Sequence, residues 1–349
     1  MPHARNLKIG VVGATGMVGA ELLRCLEDRR FPVSELLAFS SGAAKKAVRF
    51  QGRSVPAPAV DLKALASCDL VFFVSADEVS EEFAPRLAAA GVWVIDDSAA
   101  FRLTASVPLV IPEVNAGALS RNSRLIAGPN CTMTGLAVAG SLLHERFKCV
   151  AARVASYQAV SGAGRAALEE FFSQSRHHAR QHKLEDGRAP IMSLPAHRVL
   201  PAPISGNVIP QVGGFDALGN TSEENKVAAE LKKIWDAPKL SASVTAVRVP
   251  VSRGHSLAAW LEFARPVSVA QARAALKKTP GLVFSENGSY PTPLSAGGKH
   301  PVYAGRLRQG AHARELCLWI VSDNLLKGAA LNSVQIAEEL LRRGWLKRA

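Results

Sequence analysis

An α/β fold in two domains is what this sequence predicts, and three observations carry the prediction. The chain opens on a buried strand (Leu7 to Ala14), a glycine loop (Gly13-Ala-Thr-Gly-Met-Val-Gly19) and a helix (Ala20 to Glu27). Short apolar runs then alternate with helical stretches as far as Ala127, the pattern of a parallel sheet with crossover helices. After Cys131 the character changes to alternating, half-buried strands and amphipathic helices, which reads as a second, α+β domain. At 349 residues the chain is long for one domain and comfortable for two.

Composition narrows the classes. Apolar residues make up 48% and charged residues 20%, ordinary values for a soluble globular protein. No apolar run spans a bilayer and no leader precedes Leu7, so no membrane role is expected. The five cysteines are scattered, odd in number and free of Cys-x-x-Cys or Cys/His clusters. That usage implies a reduced, cytoplasmic protein without a metal site. The net charge of +13 comes from dispersed basic residues with no aromatic-interleaved basic run. Small anionic ligands therefore account for it better than nucleic acid.

Each element follows in order. In the first loop Gly13 permits a tight turn, Gly16 lets the backbone approach a pyrophosphate, and Gly19 lets the helix pack on the strand. The spacing is G-x-x-G-x-x-G, and its setting between strand and helix makes the first domain Rossmann-type and dinucleotide-binding. The second strand, Ser34 to Ser40, ends in Ser40-Ser41-Gly-Ala-Ala-Lys-Lys46. An acid there would favour NAD; hydroxyls and lysines suit a 2′-phosphate, so NADP is the expected cofactor. Buried strands follow at Asp69 to Ser75 and Val92 to Asp96, with a helix at Ala76 to Ala90 between them. Arg102, in the next loop, is a candidate anion clamp because a guanidinium grips phosphate bidentately.

The strand Arg124 to Ala127 leads into Gly128-Pro-Asn-Cys-Thr-Met-Thr134, with a helix over Thr134 to His144. Cys131 thus stands where a strand turns into a helix. Unpaired N–H groups there stabilise a thiolate, lower its pKa and make it a nucleophile at neutral pH. The same groups would stabilise an oxyanion beside it.

Beyond it, Ala151 to Ala159 reads as a half-buried strand, broken by Val160-Ser-Gly-Ala-Gly-Arg165 before a helix from Ala166 to His178. Gln158, at the strand end, brings an amide that both donates and accepts. The stretch from Arg176 to Lys183 is His-rich but lacks ligand spacing. Thr221 and Glu224 form a capping box ahead of a helix reaching Trp235, on which Glu223 and Lys226 share a face. The strand Ser243 to Val251 carries Arg248, and Ser252-Arg-Gly-His-Ser256 follows. Arg248 and His255 can pair a carboxylate clamp with a base that titrates near neutrality. Strands near Leu257 to Phe263 and Glu315 to Val321, a helix over Val269 to Lys278 and a last helix to about Arg343 complete the chain.

Seven stretches together resemble the aspartate-β-semialdehyde dehydrogenase family along nearly the whole length. They are Val12 to Gly19, Ser98-Ala-Ala-Phe-Arg102, Pro129-Asn-Cys131, Tyr157 to Gly164, Asn207-Val-Ile-Pro210, Arg248 to Ser256 and Ser322 to Asn332. The resemblance implies a Rossmann-type NADP domain over residues 1–130, completed by a C-terminal helix over 323–349. It also implies a catalytic and dimerisation domain over 131–322. Cys131 matches the acyl-enzyme nucleophile, His255 the general acid/base and Gln158 the residue that orients substrate. Arg248 matches the α-carboxylate clamp, Glu223 the amine partner, and Arg102 with Lys226 the phosphate site. Thr15, Gly16, Met17, Val18, Ser161, Gly162 and Asn324 match the NADP site, to which the reading of the two loops adds Gly13, Ser40 and Ser41; family members often carry an arginine where this chain has Ser40-Ser41. The implied activity is reduction of L-aspartyl-4-phosphate to the semialdehyde through a Cys131 thioester. The implied assembly is a homodimer or a tetramer. Two alternatives stand beside it: N-acetyl-γ-glutamyl-phosphate reductase, with an acylated and longer substrate, and a catalytically silent paralogue acting as a binding protein.

Overall fold

The structure is a computed structural model that describes residues 7–41, 46–181, 192–286 and 288–346. It contains a five-stranded sheet and a six-stranded sheet, with the helix that begins at Cys131 packed into the core beside the second. The first sheet runs Val33–Phe39, Leu7–Val12, Leu70–Phe73, Trp93–Asp96, Leu125–Ala127, with every pairing parallel. Its central strands are apolar without alternation because helices cover both faces; Leu70–Phe73 is buried at every position. The first crossover helix, Met17–Asp28, starts three residues earlier than the sequence predicts, because Gly16 itself is the extended N-cap.

The glycine loop is packed as tightly as its sequence suggests. Gly13 has φ +88°, and a Cβ there would lie 2.4 Å from the Val74 carbonyl oxygen. A Cβ on Gly19 would lie 2.4 Å from the Gly13 carbonyl oxygen. Any side chain at either place would push the helix off the sheet.

The second sheet is mixed, in the order Leu282–Phe284, Val302–Gln309, Glu315–Ser322, His255–Phe263, Cys149–Gln158, Ser241–Arg248. Its register matters more than its size. Gln158 lies opposite Arg248, Tyr157 opposite Ser256, and His255 opposite Ser322. Four strands therefore end at one level and deliver Gln158, Arg248, His255 and the Ser322–Asn324 turn to the same rim. Helices Cys131–Phe147, Ser222–Ile234 and Val269–Leu276 contribute to the core on one face of this sheet. The strand Val302–Gln309 was not anticipated. A register break between Gly305 and Arg308 interrupts its alternation.

The last helix, Leu331–Arg342, follows a π-helical turn at Leu326–Ala330 and packs into the core of the first sheet. The turn brings Gly328 against the nucleophile: a Cβ on it would be 2.8 Å from Cβ of Cys131. It also buries Lys327, whose ammonium reaches Glu113 at 2.5 Å, Gln335 at 2.7 Å and Asn332 at 3.0 Å. Burial opposes ionisation of Glu113, but the Lys327 ammonium overcomes it and holds that carboxyl below its usual range.

A buried pair that loses one member leaves the other charge uncompensated. Lys327→Met should therefore destabilise the protein by about 3–5 kcal/mol. Adding Glu113→Gln should restore most of the loss. Thermal unfolding of both variants checks this; equal midpoints for the single and double variants would refute it.

Candidate active site

The turn Gly128-Pro129-Asn130 joins strand to helix, and Cys131 is the first helical residue. Asn130 is the N-cap: its side-chain oxygen accepts from the N–H groups of Thr132 at 2.8 Å and Met133 at 3.1 Å. This cap corrects two expectations. The N–H groups of Thr132 and Met133 are already committed and are not oxyanion donors. The Cys131 thiol is not lowered but pushed up to about 11, by burial first and by the Glu223 carboxylate second. Arg102 and Arg248 pull the other way without prevailing. Of the five cysteines Cys131 alone is not buried.

His255 Nε2 lies 3.4 Å from the Cys131 sulfur. The opposite ring nitrogen, Nδ1, accepts the backbone N–H of Ala159 at 3.1 Å. A backbone N–H can only donate, so the neutral ring carries its proton on Nε2, facing the sulfur. Burial, then the positive charge of Arg248, hold His255 well below its usual range. The resting pair is thus a neutral thiol and a neutral imidazole. As a hydrogen-bond donor to sulfur His255 is in place; as a base it would need the tautomer that Ala159 opposes.

Arg248 is 6% exposed and donates to the Ala159 carbonyl at 2.8 Å. Among the described residues no carboxylate lies within ion-pair distance of it. A Cβ on Gly162 would come within 2.8 Å of Arg248 Nη1 and 3.2 Å of the His255 ring, so both crowd one point on the rim. A buried guanidinium with no carboxylate in contact, and only the charge of Glu223 acting from further off, suits an incoming carboxylate.

Glu223 gathers three neutral donors: Thr132 Oγ1 at 3.0 Å, Gln158 Nε2 at 3.1 Å and Asn130 Nδ2 at 3.0 Å. They orient the carboxylate and leave its charge uncompensated. Gln158 also donates to Ser156 Oγ at 3.2 Å. Arg102 reaches the same place from the first sheet. It donates to the carbonyls of Gly128 at 2.9 Å and Asp97 at 2.7 Å, and to Glu230 at 3.2 Å. Lys226, half-buried one turn beyond Glu223, does not line the wall around Cys131.

Two residues that sequence reading missed sit on the same helix. Glu230 is fully buried and accepts the Asn130 N–H at 2.6 Å. Lys233 donates to the carbonyls of Arg102, Thr104 and Val107, each at 2.8 Å. Glu223, Lys226, Glu230 and Lys233 follow a three-to-four-residue spacing, so helical periodicity would have put them on one face.

Around Cys131 lies a cleft of about 290 Å³, walled by Val18, Ser75, Arg102, Ser161, Gly162, Glu223 and Asn324 among others. The residues present fit a dinucleotide. Helix Met17–Asp28 has no side-chain cap, so no capping side chain occupies its N-terminus beside the glycine loop with Thr15 and Gly16, where a pyrophosphate would sit. Ser75 Oγ, buried on the wall, has no hydrogen-bond partner among the described residues. Asn324 ties Ser161 at 2.9 Å to the N–H of Gly254 at 2.9 Å, next to His255. At the far end the carbonyl of Phe39 accepts from Gly13 and Ala14, so Ser40 and Ser41 stand beside the glycine turn. Ser40 is buried and its hydroxyl donates to the Ala57 carbonyl at 2.7 Å, whereas Ser41 is exposed. Lys45, part of the expected 2′-phosphate loop, lies outside the described residues.

Comparison with known proteins agrees on a family. The semialdehyde dehydrogenase NAD-binding domain matches residues 8–122, and the semialdehyde dehydrogenase dimerisation domain matches residues 141–327. The aspartate-semialdehyde dehydrogenase of Synechocystis sp. is 40% identical over 345 residues, covering 97% of this chain and 99% of its own. That of Streptomyces akiyoshiensis is 42% identical over 341 residues, covering 95% and 98%. Among solved structures, aspartate semialdehyde dehydrogenase II of Vibrio cholerae has a TM-score of 0.89 at 36% identity, covering 97% of this chain and 99% of that one. The same Vibrio cholerae enzyme, solved in complex with ASA, also has a TM-score of 0.89.

Two outcomes follow from the neutral pair. In the free protein, alkylation of Cys131 by iodoacetamide should keep accelerating past pH 9, with a midpoint at about 11; a plateau reached below pH 8 would contradict the burial and Glu223 effects. Nitrogen-15 NMR of His255 at neutral pH should show the proton on Nε2 and a bare Nδ1. The opposite tautomer, or a doubly protonated ring, would contradict the Ala159 contact.

Proposed function

The chain belongs to the semialdehyde dehydrogenase family, and we propose that it is an aspartate-semialdehyde dehydrogenase. In the biosynthetic direction it would convert L-aspartyl-4-phosphate to L-aspartate-4-semialdehyde and phosphate, in the cytoplasm, as part of amino-acid biosynthesis. The observation that carries this reading is the set of charges around Cys131: a buried Arg248 with no carboxylate in ion-pair contact and a Glu223 hydrogen-bonded only by neutral donors. An α-amino acid brings the opposite charges, a carboxylate for Arg248 and an ammonium for Glu223. An N-acetylated substrate would leave Glu223 without a cation, which disfavours N-acetyl-γ-glutamyl-phosphate reductase.

The residues then act in sequence. With carboxylate and ammonium held, the acyl carbon is presented to the Cys131 sulfur, and Gln158 orients the carbonyl. Sulfur attacks, the C–O bond to phosphate breaks, and a thioester forms on Cys131. Arg102 retains N–H groups beyond its three bonds and receives the departing phosphate. As the S–C bond forms the thiol proton passes to the departing phosphate, and the Nε2–H of His255 hydrogen-bonds the sulfur whenever it is anionic, on losing that proton and again on leaving the reduced carbon. When bound, NADPH supplies the hydride that reduces the thioester. The glycine loop with Thr15, Met17 and Val18 would hold its pyrophosphate, Ser161, Gly162 and Asn324 its nicotinamide end, and Ser41 with Lys46 the 2′-phosphate. A second copy would pack on the outer face of the six-stranded sheet, where Val150 and Tyr157 are each 39% exposed.

Purified protein given aspartate semialdehyde should reduce NADP only when inorganic phosphate is present. Cys131→Ala should abolish this turnover and leave NADP binding intact. Activity retained by that variant, or reduction seen only with N-acetylglutamate semialdehyde, would overturn the assignment.

A further inference from the structure

We propose that Glu230 is a positioning residue that locks the nucleophile turn and the phosphate-site arginine into one unit. Its two carboxylate oxygens are divided between them. One accepts the backbone N–H of Asn130 at 2.6 Å, and the other accepts Arg102 Nη1 at 3.2 Å. Arg102 in turn donates through Nε to the Gly128 carbonyl at 2.9 Å. The chain of contacts closes on itself: Glu230, Arg102, Gly128, Pro129, Asn130 and back to Glu230. The turn that immediately precedes Cys131 is thereby held at both ends by a single ion pair.

Three features separate this from ordinary core filling. Glu230 is fully buried, and each of its oxygens has a donor, so neither is left to solvent. Its partners come from two other parts of the fold, the loop after Trp93–Asp96 and the turn before Cys131–Phe147. Arg102 also lines the cleft with Cys131, so the same pair that fixes the turn fixes the direction in which the remaining guanidinium N–H groups point. Lys233, one turn further along, ties down the backbone carbonyls of Arg102, Thr104 and Val107. That contact fixes where the loop lies; Glu230 fixes how its guanidinium faces the sulfur.

Glutamine at this position is isosteric but brings one acceptor and one donor to a site with two donors. Either Asn130 or Arg102 must lose its partner. The consequence is specific to a step that uses both the sulfur and the anion site. The inference rests on the phosphorylating reading above, and a wild-type protein without phosphate-dependent NADP reduction would remove that reading. A second readout, independent of turnover, keeps the two apart: protection of Cys131 from iodoacetamide by inorganic phosphate.

Glu230→Gln should bind NADP as wild type does, showing that it is folded. Its kcat should fall by about tenfold to a hundredfold, because small misplacement of reacting groups is costly. KM for phosphate should rise by a similar factor while KM for aspartate semialdehyde stays within about twofold. Phosphate should no longer protect Cys131. In an Arg102→Lys background the Glu230→Gln change should add little, since the arginine it orients is gone. Glu230→Asp, which keeps the charge but reaches only one partner, should fall between. Should Glu230→Gln fail to fold, Glu230→Asp carries the same KM comparison. Phosphate KM and protection equal to wild type in a folded variant, or KM values for both substrates rising together, would overturn the proposal.

Discussion

The N-cap of one helix organises this site. Asn130 caps Cys131–Phe147 through its side-chain oxygen, and its other groups are used as well: the backbone N–H binds Glu230 and the side-chain amide binds Glu223. An N-cap usually settles where a helix begins. Here it also fixes the two acidic groups that govern the nucleophile, one beside the sulfur and one behind the turn. Gly328 closes the remaining side by near-contact with Cβ of Cys131. The reactive residue is therefore held by hydrogen bonds on its flanks and by packing against its own β-carbon.

The charges form pairs and exceptions, and the exceptions mark the chemistry. Arg102 is matched by Glu230, and Lys327 by Glu113. Arg253, beside His255 in sequence, is matched by Glu21 and Asp323 and ties the catalytic loop to the first helix of the nucleotide sheet. Arg248 and Glu223 feel each other's charge but form no salt bridge among the described residues. Desolvating unpaired charges costs free energy, and that cost is recovered only when a ligand of complementary charge enters. The nucleophile is affected in turn, since an uncompensated carboxylate nearby favours the thiol.

What the sequence disclosed was local, and what it withheld was not. The glycine loop and the Thr221–Glu224 capping box depend on residues a few positions apart, and both formed as read. The rim of the second sheet was legible at Gln158, Arg248 and His255 because each stands at the end of an alternating run. Glu230 was legible only as a member of the Glu223 face of its helix; its burial and its partner Asn130, 100 positions away, were not. Lys327 finds Glu113 across 214 positions, and nothing in its neighbours Leu326 and Gly328 announces that a lysine there is buried. The direction of the Cys131 shift failed for the same reason. The helix start was visible, but the carboxylate and the burial that outweigh it are contributed by segments far along the chain.

The placement of Leu326–Ala330 and Leu331–Arg342 has a consequence for how the protein comes into being. Those residues supply a wall of the first sheet's core, against strands and a helix that begin at Leu7. They also supply Gly328, the seat of the nucleophile. A nascent chain emerging from the ribosome cannot close its first hydrophobic core until nearly all of it has been translated. Until then it exposes apolar strand surface, and Cys131 lacks the contact that fixes its position. Synthesis from the amino end thus completes the cleft around Cys131 last, and the interval before that is the one in which the chain depends most on protection from aggregation.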